Sequence, residues 1–480
     1  MSAPHTRSAS GDLSPAVTDL VGIGFGPANL ALAIAVAEHN SGQEPAGGLR
    51  ATFLERQDTF GWHPGMLLEG ATMQVSFLKD LVTQRNPGSP YSFLQYLQDH
   101  GRLADFINQK TFFPTRIEFH DYLRWCAEDF TAQVSYGTEV TAVTAVTAAG
   151  AGDGGADADG PAQFLDVRHR PTGDPKAAGG VLRTRNVVLG TGLVPRLPEG
   201  VRGGPHVWHT SELLHRTREL TAVAAGADAP RRFLVVGAGQ SAAEAADHLH
   251  RTFPGAEVCA AFSRYGYSPA DDSPFANRIF DPAAVDDFFT APEEVRQQLL
   301  GYHANTNYSV VDADLITQLY RTVYQEKVSG AARLRILNAT EVVTLTGTPD
   351  GVRATVRSLI DGTVTTLDCD AVVYATGYRA PDPRDLLGPL MDECLTDGRG
   401  RLRIGRDHRI ATTARLRAGI YLQGAGTEHT HGLTSSLLST LAVRAGEVCA
   451  SLLPGGAVAA APDRREPLAA TAARPSGIRS

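Results

Sequence analysis

The chain has 480 residues, 42% hydrophobic and 20% charged, which is the balance of a soluble globular protein of about two or three domains. A formal net charge of −8 and a pI near 6.0, with Arg and Lys scattered rather than striped, exclude the electrostatic footprint of a nucleic-acid binder. No apolar run approaches the roughly 20 residues that span a bilayer, and the polar start MSAPHTRSASGDLSPAV lacks a signal core, so a cytoplasmic chain without a membrane partner is expected.

In chain order, residues 1–16 are rich in Ser, Ala, Pro and Gly and are expected to be disordered. TDLVGIGFGPANLALAIAVAEH follows, an apolar strand running through Gly24 and Gly26 into an Ala/Leu-rich helix that opens at Pro27. Glycines there permit a tight turn and let a pyrophosphate approach backbone N–H groups at the helix start. Asn29 stands where the dinucleotide fingerprint has its third glycine. The next strand, LRATFLER, ends at Glu55, whose carboxylate can accept bonds from a ribose diol, as FAD offers. MQVSFLKDL then places Gln74 and Lys79 in an apolar stretch, where a snorkelling surface lysine is the ordinary reading of Lys79. The Gly/Ala/Asp tract at 148–162 is expected to be a mobile hairpin loop, and VVLGTGLVPRLP at 187–198 is a buried strand closing on a turn.

A second strand–glycine–helix unit is RRFLVVGAGQSAAEAADHLHRTF, with Gly237, Gly239, Gln240 and Ser241 in the turn and Ala242 in the third position. Its partner strand ends in Ser263-Arg264 rather than an acid. An acid would repel a 2′-phosphate, whereas Arg and Ser can bind one, so NADPH is expected over NADH; a solvated loop arginine is the alternative. SPFANRIFDP and HANTNYSVV carry Asn277 and Asn307, which by themselves read as turn or cap residues. DAVVYATGY closes a strand on Ala375-Thr376-Gly377, where a chain with two such halves crosses between them, and the strand–turn–helix of 419–448 follows. The cysteines (Cys126, Cys259, Cys369, Cys394, Cys449) are odd in number and never form CxxC, which argues against disulfides, zinc ribbons and a dithiol centre. His429 and His431 lack companion ligands at metal spacing, and His209 in VWHTS lacks the phenylalanine and spacing of the Baeyer–Villiger signature.

The expected fold is α/β with two Rossmann-like dinucleotide-binding domains, the FAD domain being discontinuous with the NADPH domain inserted, plus a small helical substrate-binding portion. The expected boundaries are 17–200 for the first part of the FAD domain, 201–369 for the NADPH domain with a substrate-binding helical segment at about 270–330, 370–453 for the second part, and 454–480 for a disordered tail.

The ordered words GIGFGPANLALA, WHPGMLLEGATMQVSFLKDL, FFPTRIEFHDYLRW, GAGQSAAE, ADDSPFANRIFDP, NTNYSVVD, ATGY and HTHGLTSSLLS run from about Asp19 to Leu453. They resemble the flavin-dependent N-hydroxylating monooxygenases of siderophore and related biosynthesis, and within these the ornithine branch more than the lysine branch. The resemblance implies that Lys79 pairs with the substrate α-carboxylate together with Asn277, and that Asn307 lies near the α-amine and the nicotinamide. It implies that Trp62, His63, Met73 and Gln74 lie near the flavin, that Gln240, Ser241 and Arg264 bind NADPH, and that Leu433 and Ser435 touch the flavin and the distal amine, with Thr376 and Gly377 at the crossing. The implied reaction is N-hydroxylation of L-ornithine with O2 through a flavin hydroperoxide, with no side-chain nucleophile or metal, in a homotetramer. Two alternatives stay open: L-lysine or a diamine as substrate, and a flavin reductase that does not oxygenate.

Overall fold

The computed structural model describes residues 17–44, 47–147, 160–223, 229–307 and 309–453. The segments expected to be disordered at either end, and most of the loop expected at 148–162, lie outside the described residues. Ala162 itself is buried and tied to the chain near the other end, with its N–H donating to Arg415 O at 2.7 Å. The loop therefore ends before 162.

Two parallel five-stranded sheets form the frame. The first runs Gly419–Leu422, Asn186–Leu189, Leu20–Ile23, Ala51–Leu54, Val134–Ser135 across its width, and the second runs Leu334–Leu337, Glu257–Ala261, Arg232–Val236, Ala371–Tyr374, Val207–His209. The strands LVGI, AVVY and GIYL are buried at every position, as strands covered on both faces require. Each sheet carries a three-stranded antiparallel appendage, Thr138–Thr184 on the first and Thr340–Cys369 on the second. The helices Pro27–Ser41 and Gln240–Thr252 follow the two glycine turns.

The boundary expected at 370 falls too early. Ala371–Tyr374 hydrogen-bonds in register with Phe233–Val236, inside the second sheet, where an all-apolar strand is covered on both faces. The chain crosses back after it, where Tyr378–Arg379 pairs with Val194–Pro195 and Arg196 N donates to Gly377 O at 3.0 Å. The helical portion expected at 270–330 also divides. Pro282–Thr290 packs on Glu428–His431, whereas Ala313–Ser329 packs on Gln240–Thr252 and completes the second wound half. One segment breaks the separation of cores: Met66 and Leu68, from the first half, are buried in the cluster that holds Trp208, Leu213 and Phe233.

Candidate functional site

At the first turn, Gly24 has φ +84°, and a Cβ on it would lie 2.5 Å from the Gly190 carbonyl oxygen. Gly26 caps the helix that Pro27 opens, and both glycines and Pro27 line a cavity of about 620 Å³. Asn29 does not line it. Its fully buried side chain donates to Gly24 O at 2.7 Å and Ile23 O at 3.3 Å, and accepts from Gln423 Nε2 at 3.0 Å. Glu55 does line the cavity, and its carboxylate accepts from Phe25 N at 2.6 Å and Gln57 N at 2.8 Å. The acid thus binds the glycine turn to the strand end and keeps free lone pairs toward the cavity.

Trp62 and His63 form another wall of this cavity. His63 takes a left-handed backbone (φ 49°) that β-carbon residues seldom adopt, as is common at ligand sites. Burial, and then the nearby Arg116 guanidinium, push its pKa down to about 4, so its ring is neutral. Opposite stand Ser435, Leu438 and the helix start Leu441. Behind them Arg444, 5% exposed, also lines the cavity and donates Nη1 to Ser435 O at 2.7 Å; burial lowers its pKa to about 10, which leaves it charged at neutral pH.

The second cavity, about 1740 Å³, is lined by Gly237, Gly239, Gln240, Ser241, Arg264, Thr376 and Gly377. Gly237 has φ +142°, and a Cβ on it would meet Ala375 O at 2.6 Å. The side-chain amide of Gln240 is engaged with protein: Nε2 donates to Glu244 Oε1 at 2.9 Å and Oε1 accepts from Asp312 N at 2.8 Å. Arg264 is exposed at the cavity lip and donates Nη1 to Ser309 O at 2.7 Å. That bond holds Ser309 beside the second turn, where its Cα would lie 3.3 Å from a Cβ on Gly239; Asn307 belongs to the short helix Ala304–Asn307 that precedes it. The two cavities share Leu193, Tyr378, Ala425 and Ser436 in their walls, so they open onto one another.

Lys79 stands with Nζ 5.7 Å from the Phe280 ring centre. Burial lowers its pKa, against the opposing pull of Asp281. Phe280 belongs to the single-turn helix Ala276–Phe280, which also carries Asn277 and packs on Leu433–Ser436. Asn277 donates Nδ2 to Asp272 O at 2.6 Å. The structure thus gathers the Lys79 loop, the Asn277 turn and Ser435. Besides Asn29, five expected contacts line neither cavity: Lys79, Asn277, Leu433, Met73 and Gln74. Leu433 is 2% exposed and packed inward, Met73 is buried in the first core, and Gln74 points out, with Nε2 3.5 Å from Asp312 Oδ2. Met73 and Leu433 follow the apolar side of their own segments, and Gln74 the solvent side.

Residues that motif reading passed over hold the site in place. Asp80, next to Lys79, accepts from Val82 N, Thr83 N, Thr83 Oγ1 and Phe93 N at 3.0, 2.6, 2.8 and 2.8 Å, and so fixes the Lys79 loop. The Asp-x-x-Thr spacing was a capping signal open to reading. Tyr378, between the rings of His209 (4.9 Å) and His63 (5.9 Å), had no such local signal. His429 and His431 each bond a backbone carbonyl, Leu402 O at 2.8 Å and Arg406 O at 3.2 Å, and no group of three potential metal ligands occurs among the described residues. All five cysteines are buried and free.

Comparison with known proteins agrees with this geometry. The family model of L-lysine 6-monooxygenase/L-ornithine 5-monooxygenase matches residues 16–380. The L-ornithine N(5)-monooxygenase of Pseudomonas aeruginosa is 39% identical over 439 residues, covering 91% of this chain and 94% of that one. The solved Kutzneria sp. 744 ornithine N-hydroxylase, described as KtzI-FADred-NADP+-L-orn, superposes with a TM-score of 0.82 at 47% identity, over 91% of this chain and 99% of its own. The L-lysine 6-monooxygenase of Pseudomonas syringae stands further off, at 32% identity and a TM-score of 0.76 over 91% and 99%. With two glycine-turn cavities side by side and this likeness over most of its length, the chain belongs to the L-lysine 6-monooxygenase/L-ornithine 5-monooxygenase family.

Proposed function

We propose that this protein N-hydroxylates the side-chain amine of L-ornithine with O2, using FAD in the first cavity and NADPH in the second, to give N5-hydroxyornithine for siderophore or related hydroxamate biosynthesis. The observation that carries the reading is the junction itself: the cavities meet at Tyr378, Ala425 and Ser436, beside the turn on which the Asn277 segment packs. The walls suit both cofactors. Gly24 and Gly237 bring main chain where a Cβ would not fit, Glu55 faces a diol, and Arg264 faces a 2′-phosphate. FAD, once reduced by NADPH, supplies the activation of O2 for transfer of one oxygen atom to nitrogen.

The chain's own residues bind, orient and exclude water. Lys79 takes the α-carboxylate, and that anion restores the charge that burial disfavours. Asn277 joins Lys79 at the α-carboxylate and the Asn307 segment lies by the α-amine, which leaves the distal amine to reach toward Ser435. An ammonium has no lone pair to react, and the buried surroundings of Ser435 favour its neutral form. Arg444 keeps a positive charge behind the first cavity, where electron density accumulates on reduction. We place the protein in the cytoplasm as a homotetramer; among the described residues no helix is long and apolar enough to cross a membrane. A monomer mass in light scattering would overturn the tetramer.

Hydroxylamine formation from L-ornithine, L-lysine and simple diamines, with NADPH and O2, tests the substrate. Ornithine is expected to be consumed with one hydroxylamine formed per NADPH. Hydrogen peroxide alone from ornithine, with hydroxylamine from another amine, would sink the reading. Lys79→Ala is expected to lower kcat/KM for ornithine about 100-fold, because a charge-paired contact in a desolvated site is lost. An unaffected Lys79→Ala enzyme would point to a substrate without a carboxylate.

A further inference from the structure

The two halves touch through more than the crossing strands. Residues 64–68 of the first half place Met66 and Leu68 in the second half's core. Gly65 passes so close to the second half that a Cβ on it would lie 1.8 Å from Ser211 O. Over this contact Arg116, the first residue of the helix Arg116–Glu128, donates Nη1 to Met66 O at 3.0 Å. The same guanidinium reaches across to Glu244 with both terminal nitrogens, at 2.9 and 2.8 Å. Glu244 is 6% exposed and sits one turn into the helix that the second glycine turn opens; its Oε1 also accepts from Gln240 Nε2. Gln240 in turn holds Asp312 N.

We infer that the Arg116–Glu244 pair is a positioning device for hydride delivery: it fixes the second glycine turn, through Gln240, against the loop around Met66 that walls the first cavity. A buried ion pair is weak as a source of stability, since an apolar pair of similar volume does as well, but a bidentate pair specifies one orientation. The pair joins the element that begins the nicotinamide site to the element that carries Met66, which lines the flavin cavity. The reactive atoms of two bound cofactors must meet within about 3–3.5 Å, and a shift of about 1 Å there costs on the order of 100-fold in rate. Arg116 and Glu244 touch neither cavity and act through Gln240 and Met66.

The inference rests on reading the cavities as FAD and NADPH sites. The test is stopped-flow flavin reduction in the FAD-loaded Glu244→Gln enzyme under anaerobic conditions. At saturating NADPH the reduction rate is expected to fall about 10- to 100-fold, while the NADPH concentration for half-maximal rate moves less than about 3-fold. FAD content and reduction by dithionite are expected to match the wild type, the melting temperature to fall because the buried Arg116 loses its partner, and Glu244→Asp to recover part of the rate. Wild-type reduction in Glu244→Gln would overturn the inference, as would a loss matched by equal losses of FAD or of dithionite reduction. If Glu244→Gln does not fold, Arg116→Lys, which keeps the charge and loses the fork, is expected to slow reduction with the same split. A wild-type protein that binds no FAD, or is not reduced by NADPH, would instead defeat the cofactor reading.

Discussion

The two glycine turns begin alike and then diverge. In each, the first glycine adopts a positive φ directly over a carbonyl oxygen, Gly24 over Gly190 and Gly237 over Ala375. Past the helix cap, the first turn places Asn29 where the second places Ala242, and both positions are fully buried. Ala242 lets helix and sheet close by apolar contact. Asn29 instead binds Ile23, Gly24 and Gln423, so the end of the strand Gly419–Leu422 is hydrogen-bonded to the turn. The strand ends diverge too: Glu55 faces inward and holds the turn, whereas Arg264 is exposed and holds a neighbouring segment through Ser309. A shared backbone geometry thus carries two ligand preferences, with the choice made by side chains outside the glycines.

The harshest way to break the comparison is to fill the shared position. Ala at Gly24 or Gly237 collides with a carbonyl and takes a backbone strained by on the order of 1–3 kcal/mol. Gly237→Ala is expected to lose NADPH-driven flavin reduction by more than about 100-fold and keep its FAD, while Gly24→Ala is expected to lose FAD itself. Equal FAD loss in both variants, by absorbance of the purified proteins, would show that the turns are not separate sites. Replacing Asn29 by Ala strips a partner from Gln423 and two carbonyls, with an expected destabilisation of about 2–4 kcal/mol in denaturant melts and faster FAD release. Ala242→Gly, by contrast, is expected to cost only about 1 kcal/mol.

Arg264→Ala sharpens the ligand difference: KM for NADPH is expected to rise about 10-fold and KM for NADH to stay level. Similar rises for both coenzymes would return Arg264 to a loop role. The smallest effect expected is in acid stability. The pKa of His63 is pushed down to about 4 and that of His431 to about 3, chiefly by burial. The unfolded chain therefore binds protons that the native one refuses, so stability falls as pH drops below about 6.5 and levels off for His63 near 4. His431→Gln is expected to flatten this fall between pH 6 and 4.5, checked by urea melts across that range.

Local chemistry made the frame legible. Buried strands showed as apolar runs, the turns as glycines before Ala-rich helices, and the order of quoted words led to the family. Lys79, Asn277 and Ser435 fall on segments that come together, and Glu55 and Arg264 line the cavities as expected. What stayed hidden was pairing at a distance. The crossing point could not be read because Ala371–Tyr374 is equally apolar whichever sheet receives it. The directions of Met73, Gln74 and Leu433 were not legible, because side-chain direction is set by packing partners far along the chain. Arg116 and Glu244 are ordinary charged residues until the fold places them face to face.

The intrusion of Met66 and Leu68 into the far core has a bearing on modularity. Residues 201–376, cut out as a free-standing coenzyme module, would leave Trp208 and Leu213 facing water where those two side chains had been. A chimera that exchanges coenzyme specificity with a relative must therefore carry the short stretch 64–68 along with the insert, or match it. Heredity by contiguous segments and folding by contiguous cores draw different boundaries in this chain.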